Sequence, residues 1–103
     1  EHVFELAVDL VRRTRPGTKD APKWLKQSVQ WGAGPRAIQF LIRGAKAHAL
    51  ISGNFITTTD DLEAVAEPVL YHRIITNFHA RSEGITSSEV IRRLLEEARR
   101  EER

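Results

Sequence analysis

Residues 31–37 have the sequence Trp-Gly-Ala-Gly-Pro-Arg-Ala, which is typical of a turn that passes directly into a helix. Pro35 suits the first helical turn, because the N–H that proline lacks would have no partner there. Gly53 and Asn54 interrupt the apolar pattern that follows, so the sequence predicts a long helix over residues 35–52. Small side chains let neighbouring helices approach closely, and this helix contains four: Ala37, Ala45, Ala47 and Ala49. We therefore expect it to be the central and most buried element of an all-α fold.

The residues before this turn also carry helical signals. Apolar side chains recur at helical spacing over residues 2–14, and a Pro-Gly pair ends that pattern at residue 16. Residues 23–30 follow a polar linker and predict a shorter helix. We expect that helix to place three apolar side chains on the core: Trp24, Leu25 and Val29.

Two capping signals mark the helices after residue 53. Thr58 is followed three residues later by Asp61, which resembles a capping box, although Glu or Gln is the usual partner. Pro68 should bend or end the helix that starts there. Thr86 and Glu89 form a standard capping box ahead of a final amphipathic helix. The sequence therefore predicts two further helices, one on each side of residues 71–85.

Residues 74–78 alternate between apolar and polar side chains, which indicates a brief strand or an extended connector. Residues 54–57 could pair with them, although two isolated strands would be marginally stable alone. The overall prediction is a single domain over residues 1–103. We expect a small bundle of about four or five helices, with room for a tiny two-stranded hairpin.

Composition limits the classes of protein. A chain of 103 residues supports one domain with one modest core. It has no cysteine, no apolar run near the ~18 residues of a membrane span, and no signal-peptide pattern, so we expect a cytoplasmic protein without a membrane span. The net charge is +2, with 16 basic and 14 acidic residues interspersed, which argues against nucleic acid as a partner. The chain begins with Glu1 rather than methionine, and we interpret it as a piece of a longer protein.

The glycines and Arg36 of residues 31–37 could serve a purpose beyond folding. Glycine allows close backbone approach, and a helix start offers free N–H groups to an anion. Arg36 would lie in the first helical turn, where a cation opposes the helix dipole unless an anion is close. Local chemistry alone leaves two interpretations open, which are an anion-binding site and a loop-to-helix joint with a solvated arginine.

The motif WGAGPRA at residues 31–37 resembles the sensor 2 motif that opens a lid helix in the MoxR family of AAA+ ATPases. The end of the first helix, Arg-Arg-Thr-Arg at residues 12–15, resembles the helix that opens the lid in that family. The chain departs from the family pattern at Asn54 and Tyr71, where arginine is common. Apart from Tyr71, the remaining matches are Leu41, 46–50, Gly53, 58–61, 69–74, 77–78 and 83–86.

This resemblance implies that Arg36 reaches the phosphates of ATP, with Gly34, Pro35 and Ala37 placing the backbone close to the nucleotide. ATP and Mg would be held through the parent protein, whose own large AAA+ domain and neighbouring subunits in a homo-oligomeric ring are the implied partners. The implied function is a lid that couples hydrolysis to chaperone-like remodelling. The sequence contains no Gly-x-x-x-x-Gly-Lys-Ser/Thr loop, so we expect no enzymatic activity from this chain alone and assign it no catalytic residue.

Other candidate residues have simpler interpretations. His48, His72 and His79 lack the close ligand spacing of a zinc site, so no metal is expected. The pair at residues 60–61, Asp-Asp, is interpreted as helix-start acid rather than a general acid/base pair. The pair His72-Arg73 either caps the end of the preceding helix or contacts a neighbouring domain. The tryptophans are expected in the core or at a domain interface, and the one at residue 31 could also shape a nucleotide pocket.

Two alternative functions come from other classes of protein. A small helical DNA-binding module would need a recognition helix with exposed basic and amide side chains, whereas the helix after Arg36 is mostly alanine and aliphatic residues. A protein-interaction bundle would leave Arg36 without a specific role. Steeply salt-dependent DNA binding would favour the first alternative. Substitution of Arg36 separates the second alternative from a nucleotide-sensing lid.

Overall fold

A computed structural model describes residues 2–19 and 21–102 of the chain, with side chains up to Arg100. The all-α prediction is confirmed, and no helix in this part of the chain is long and apolar enough to cross a membrane. The described residues form six helices, since a five-residue helix adds to the expected number, and two very short strands. The elements are α1 (His2–Thr14), α2 (Lys23–Ser28), β1 (Val29–Trp31), α3 (Arg36–Ile51), α4 (Thr59–Leu70), β2 (Ile75–Thr76), α5 (Phe78–Ser82) and α6 (Ser87–Glu102).

The four long helices enclose one hydrophobic core. α3 packs on α4 and α1, and α6 packs on α4 and α1, while α2 packs on α5 and contacts β1. Each long helix buries one apolar face and leaves its charged face exposed, as the helical spacing predicted. The largest fully buried apolar side chains are Leu10, Leu25, Leu41, Leu62, Leu70, Val90, Ile91 and Leu94.

α3 is central, but it is not the most buried helix. It has four buried residues among sixteen, against six among thirteen in α1. The small side chains act as expected where they face a neighbour: a Cβ built on Gly44 would lie 3.3 Å from the Val65 side chain of α4. Ala47, however, is exposed and takes no part in that contact. The buried residues of α3 are Ala37, Leu41, Ala45 and Ala49, which recur every four positions and so define a single stripe.

The predicted capping boxes are present. The Asp61 carboxylate accepts a hydrogen bond from the Thr58 backbone N–H at 2.9 Å, at the start of α4. At the start of α6 the Thr86 hydroxyl oxygen accepts from the Glu89 N–H at 3.2 Å, and the Glu89 carboxylate accepts from the Thr86 N–H at 3.4 Å. Pro68 lies in the last turn of α4, which ends two residues later at Leu70.

The expected pairing of residues 54–57 with residues 74–78 was wrong. β2 pairs antiparallel with β1, with Val29 opposite Thr76, so the strands are distant in sequence and do not form a local hairpin. The helix expected over residues 23–30 therefore ends at Ser28, and its last two residues belong to β1. α2 ends at Ser28, where Asn77 bonds its last carbonyl groups. The Asn77 backbone N–H donates to Ser28 O at 2.8 Å, and its side-chain amide donates to Gln27 O at 2.7 Å. These bonds satisfy carbonyl groups at the end of α2.

The helix that sequence reasoning missed is α5. The Asn77 side chain caps it by accepting a hydrogen bond from the Ala80 N–H at 2.8 Å. Gly84 follows it with a φ of 78°, the left-handed conformation that glycine adopts readily after a helix. The Ile85 N–H then donates to Ala80 O at 2.8 Å, which completes a Schellman-type end. Asn77, a typical N-cap residue, and Gly84, a typical residue after a helix end, were signals in the sequence that could have located this helix.

Candidate functional site

The glycine-rich turn, defined as residues 31–36, has one buried alanine within it and a second directly after it, and it exposes the residues between the two. Ala33 and Ala37 are 0% and 1% exposed, so the chain enters the core on each side. Gly34, Pro35 and Arg36 are exposed. The Ala37 side chain is therefore part of the core, whereas Gly34, Pro35 and Arg36 face outward together.

The start of the turn contacts the end of α1 directly. A Cβ built on Gly32 would lie 2.2 Å from the backbone oxygen of Thr14 and 2.7 Å from the Cα of Arg15, so only glycine fits there. The Ala33 N–H donates to the Thr14 hydroxyl oxygen at 3.0 Å. This part of the turn is thus attached to α1 by a close backbone contact and a hydrogen bond.

The end of the turn has helical geometry before α3 begins. Pro35 has φ of −58° and ψ of −29°, and α3 starts at the next residue, one position later than predicted. The Gly34 carbonyl accepts from the Ala37 N–H at 3.0 Å. Proline holds φ near this value and has no N–H to leave unpaired, so the residue type suits the position.

Arg36 is the first residue of α3, and its side chain is exposed. The first turn of α3 contains no acidic residue. Among the residues that the structure describes, no hydrogen bond or ion pair involves the Arg36 side chain. A solvated cation at the positive end of a helix dipole destabilises the helix by roughly 0.3–1 kcal/mol, and an anion nearby would offset that cost.

Arg73 stabilises the end of α4, as one of its two interpretations predicted. Its guanidinium donates to Val69 O at 2.7 Å and lies 4.6 Å from the centre of the Phe40 ring on α3. His72 is exposed, and its ring meets the ring of Tyr71 edge to face at 4.9 Å. Arg73 thus has a structural explanation within this chain.

Asp61 and His48 join α4 to α3. His48 Nδ1 lies 2.7 Å from Asp61 Oδ1, and Asp61 is buried. The hydrogen bond from the Thr58 backbone, and then the one from His48, lower the pKa of the Asp61 carboxyl below its ordinary 3.8. Asp61 is thus a helix-start carboxylate engaged in structure, while Asp60 is exposed. No group of three potential metal ligands occurs in the described part of the chain.

The two tryptophans have different surroundings. Trp24 is half-buried, donates from Nε1 to the Glu97 carboxylate at 2.7 Å, and carries the Arg93 guanidinium 4.3 Å above its ring. Trp31 is 65% exposed at the beginning of the glycine-rich turn, opposite Ile75 in the sheet. Trp24 therefore connects α2 to α6, whereas Trp31 is an exposed aromatic residue at the start of the turn that contains Gly34, Pro35 and Arg36.

Comparison with known proteins identifies the family to which this fold belongs. A family model described as the AAA lid domain matches residues 23–94, which include the whole glycine-rich turn. The chain belongs to the AAA lid domain family. A crystal structure of a candidate ATPase from Cytophaga hutchinsonii superposes on 93% of the chain with a TM-score of 0.86 and 31% identity, and the match covers 29% of that protein.

Curated relatives place this lid domain among those of MoxR-like AAA+ ATPases. It is 32% identical over 80 residues to Chaperone MoxR1 of Mycobacterium tuberculosis, and 33% identical over 73 residues to Protein MoxR of Methylorubrum extorquens. It is also 28% identical over 95 residues to the uncharacterized protein YeaC of Bacillus subtilis. These matches cover 78%, 71% and 92% of the chain, which itself spans only 20%, 21% and 27% of the respective relatives. The family resemblance of the sequence is confirmed, and the role of the WGAGPRA motif stays a prediction.

Proposed function

We propose that this lid domain senses the nucleotide state of an AAA+ ATPase through Arg36. The observation that carries the proposal is the state of that side chain. Arg36 is exposed and unpaired among the described residues, at a helix start without acidic neighbours, between two alanines anchored in the core. Such a site offers an anion a cation and a helix N-terminus at once.

The chemistry follows from the guanidinium group. Its N–H groups donate charge-assisted, directional hydrogen bonds to phosphate oxygens, and ATP and ADP differ in the number and charge of those oxygens. Arg36 would therefore bind the two nucleotides unequally. Since Ala33 and Ala37 anchor the turn in the core, a pull on Arg36 would move the lid as a rigid body.

ATP and Mg would be held mainly by the rest of the parent protein. The glycine-rich turn supplies no carboxylate, so this chain would contribute to the phosphates and not to the metal. Within the parent, Arg36 is a sensor and electrostatic stabiliser, not a base or nucleophile. The chain alone is then no enzyme, since its sequence has no phosphate-binding loop of the Gly-x-x-x-x-Gly-Lys-Ser/Thr type.

The proposal extends to the setting of the parent. Its own large AAA+ domain and the neighbouring subunits of a homo-oligomeric ring would be the partners of the lid, in the cytoplasm. ATP hydrolysis would be coupled to chaperone-like remodelling of a client protein. Support comes from the AAA lid family match and from the relatives named as MoxR proteins, one of them as a chaperone.

Substitution of Arg36 in the full protein that contains this chain tests the proposal. Arg36→Ala is expected to lower kcat/KM for ATP on the order of tenfold to a hundredfold, because a hydrogen bond between charged groups is lost. The matched control is Arg43→Ala, which removes an exposed arginine two turns further along α3. That control should leave turnover unchanged.

Two outcomes oppose the proposal. Unchanged turnover and unchanged nucleotide-dependent assembly in Arg36→Ala would favour a plain protein-interaction bundle. Equal losses in the Arg36→Ala and Arg43→Ala proteins would indicate a general effect of positive charge on α3, and steeply salt-dependent DNA binding by the same protein would then favour a DNA-binding module.

A further inference from the structure

The Thr14 hydroxyl occupies a fully buried position where it both donates and accepts. It donates to Val11 O at 2.6 Å, one turn back in α1, and accepts from the Ala33 N–H at 3.0 Å. Thr14 is 0% exposed, so water cannot replace either partner. A hydroxyl is one of the few side-chain groups that can donate and accept from a single atom. The residue type therefore matters here for chemistry as well as for volume.

The neighbouring backbone reinforces this hydrogen bond. Gly32 packs closely on the peptide between Thr14 and Arg15. A Cβ built on Gly32 would lie 2.2 Å from the backbone carbonyl oxygen of Thr14. Residues 32 and 33 are therefore attached to the end of α1 through a contact and a hydrogen bond side by side. Removal of the hydroxyl would leave the buried Ala33 N–H without a partner, which buried backbone groups rarely tolerate.

Only two residues separate this attachment from Arg36. They are Gly34, whose carbonyl accepts from the Ala37 N–H at 3.0 Å, and Pro35, whose φ is −58°. Ala37 is itself buried, so the backbone of Arg36 is held from both directions. A displacement of Ala33 would have to be absorbed within two residues or passed on to Arg36.

We infer that Thr14 is a positioning residue for the sensor arginine: it sets the place of Arg36 through the Ala33 N–H, and so connects the end of α1 to the nucleotide. The inference rests on the proposed function of Arg36. Thr14 does not contact nucleotide in this account. Its effect on nucleotide binding passes entirely through the glycine-rich turn.

The test uses the full protein that contains this chain. Thr14→Val keeps the shape of the side chain and removes the hydroxyl, while Thr14→Ser keeps the hydroxyl. The matched control is Thr18→Val, because the Thr18 hydroxyl also bonds the Arg12 and Arg15 carbonyl groups at the end of α1 but has no hydrogen bond to the turn among the described residues. KM and kcat for ATP and the melting temperature are measured for each variant, with and without Arg36→Ala.

Thr14→Val should raise KM for ATP on the order of tenfold, as expected when a buried amide loses its partner and the turn shifts. Thr14→Ser and Thr18→Val should keep KM within about twofold of wild type. In the Arg36→Ala background, Thr14→Val should have almost no further effect, because both changes act through one arginine.

The outcomes separate the two proposals. If Arg36→Ala is silent, the proposed function fails whatever Thr14 does. If Arg36→Ala impairs turnover but Thr14→Val is silent, or its effect adds fully to that of Arg36→Ala, the positioning role is wrong and the sensor stands. Should Thr14→Val not fold, amide hydrogen exchange on the unmodified protein decides: slow exchange at Ala33 supports the bond to Thr14, and exchange as fast as in an open loop overturns it.

Discussion

Gly32 and Gly34 lie two residues apart in the same turn, yet their surroundings differ. A Cβ on Gly32 would overlap the backbone of Thr14, whereas a Cβ on Gly34 would have nothing within 4 Å. Neither glycine has a positive φ. The first glycine is thus required by packing, whereas no described part of the chain requires the second.

Substitution by alanine should therefore separate folding from ligand binding at this turn. Gly32→Ala is expected to destabilise the protein by about 1–3 kcal/mol or more, because backbone atoms of α1 cannot move aside easily. Gly34→Ala should change the free energy of unfolding by less than about 0.5 kcal/mol. Urea unfolding of both variants measures the difference, and equal destabilisation would contradict the close packing of Gly32.

Because the Gly34→Ala variant should fold normally, it also tests whether Gly34 belongs to the nucleotide site. If the backbone at this position approaches a nucleotide, as the family resemblance implies, the variant should bind ATP more weakly in the full protein despite its unchanged stability. Unchanged ATP binding would remove Gly34 from the site and leave the role of Arg36 untouched.

At the scale of elements, the junction of α3 and α4 depends on one carboxylate. Asp61 accepts the Thr58 N–H at 2.9 Å and lies 2.7 Å from His48 Nδ1. Since a carboxylate only accepts, this second contact requires a hydrogen on Nδ1. The pKa of Asp61 is lowered in the folded protein, so its ionised form is more stable there than in the unfolded chain.

The sign of the pH effect follows from that lowered pKa. The contribution of Asp61 to stability is fully present above its ordinary pKa of 3.8 and is lost as the pH falls through the lower folded value. Asp61→Asn should therefore be less stable than wild type near neutral pH, and the difference should shrink in acid. Urea unfolding across the acidic range tests this, with the exposed Asp60→Asn as control. A difference that stays constant down to the acid limit would exclude the carboxylate as its source.

Local signals predicted most of the helices, because caps and apolar spacing act within a few residues. Thr58 with Asp61, and Thr86 with Glu89, marked helix starts that the structure contains. The strand pairing could not be predicted in the same way. It depends on Asn77 reaching carbonyl groups some fifty residues earlier in the chain, a tertiary contact that no local pattern contains.

At the scale of the whole molecule, the motif located a candidate site but not the contacts that hold it in place. Its residue types left an anion site and a loop-to-helix joint with a solvated arginine both open, and the outward arrangement of Gly34, Pro35 and Arg36 is compatible with either. The attachment of the turn to α1 through Thr14 was not predicted, since it joins residues nineteen positions apart. The Ala37 side chain lies in the core, and the expectation that its backbone lies close to the nucleotide stays a prediction.

The chain matches the AAA lid domain family and spans 20 to 27% of the length of its curated relatives. We propose that it contributes to the nucleotide site of a longer parent through its exposed turn, where the Arg36 side chain is unpaired among the described residues. The central claim is therefore that Arg36 meets phosphate when the parent holds ATP.

A structure of the full protein bound to a non-hydrolysable ATP analogue tests that claim most directly. The account predicts an Arg36 guanidinium nitrogen about 2.7–2.9 Å from a phosphate oxygen, the range of charge-assisted hydrogen bonds. It also predicts that Ala33 and Ala37 keep their buried positions. A bound analogue with the Arg36 side chain directed into solvent, beyond hydrogen-bond reach of every phosphate, would contradict it.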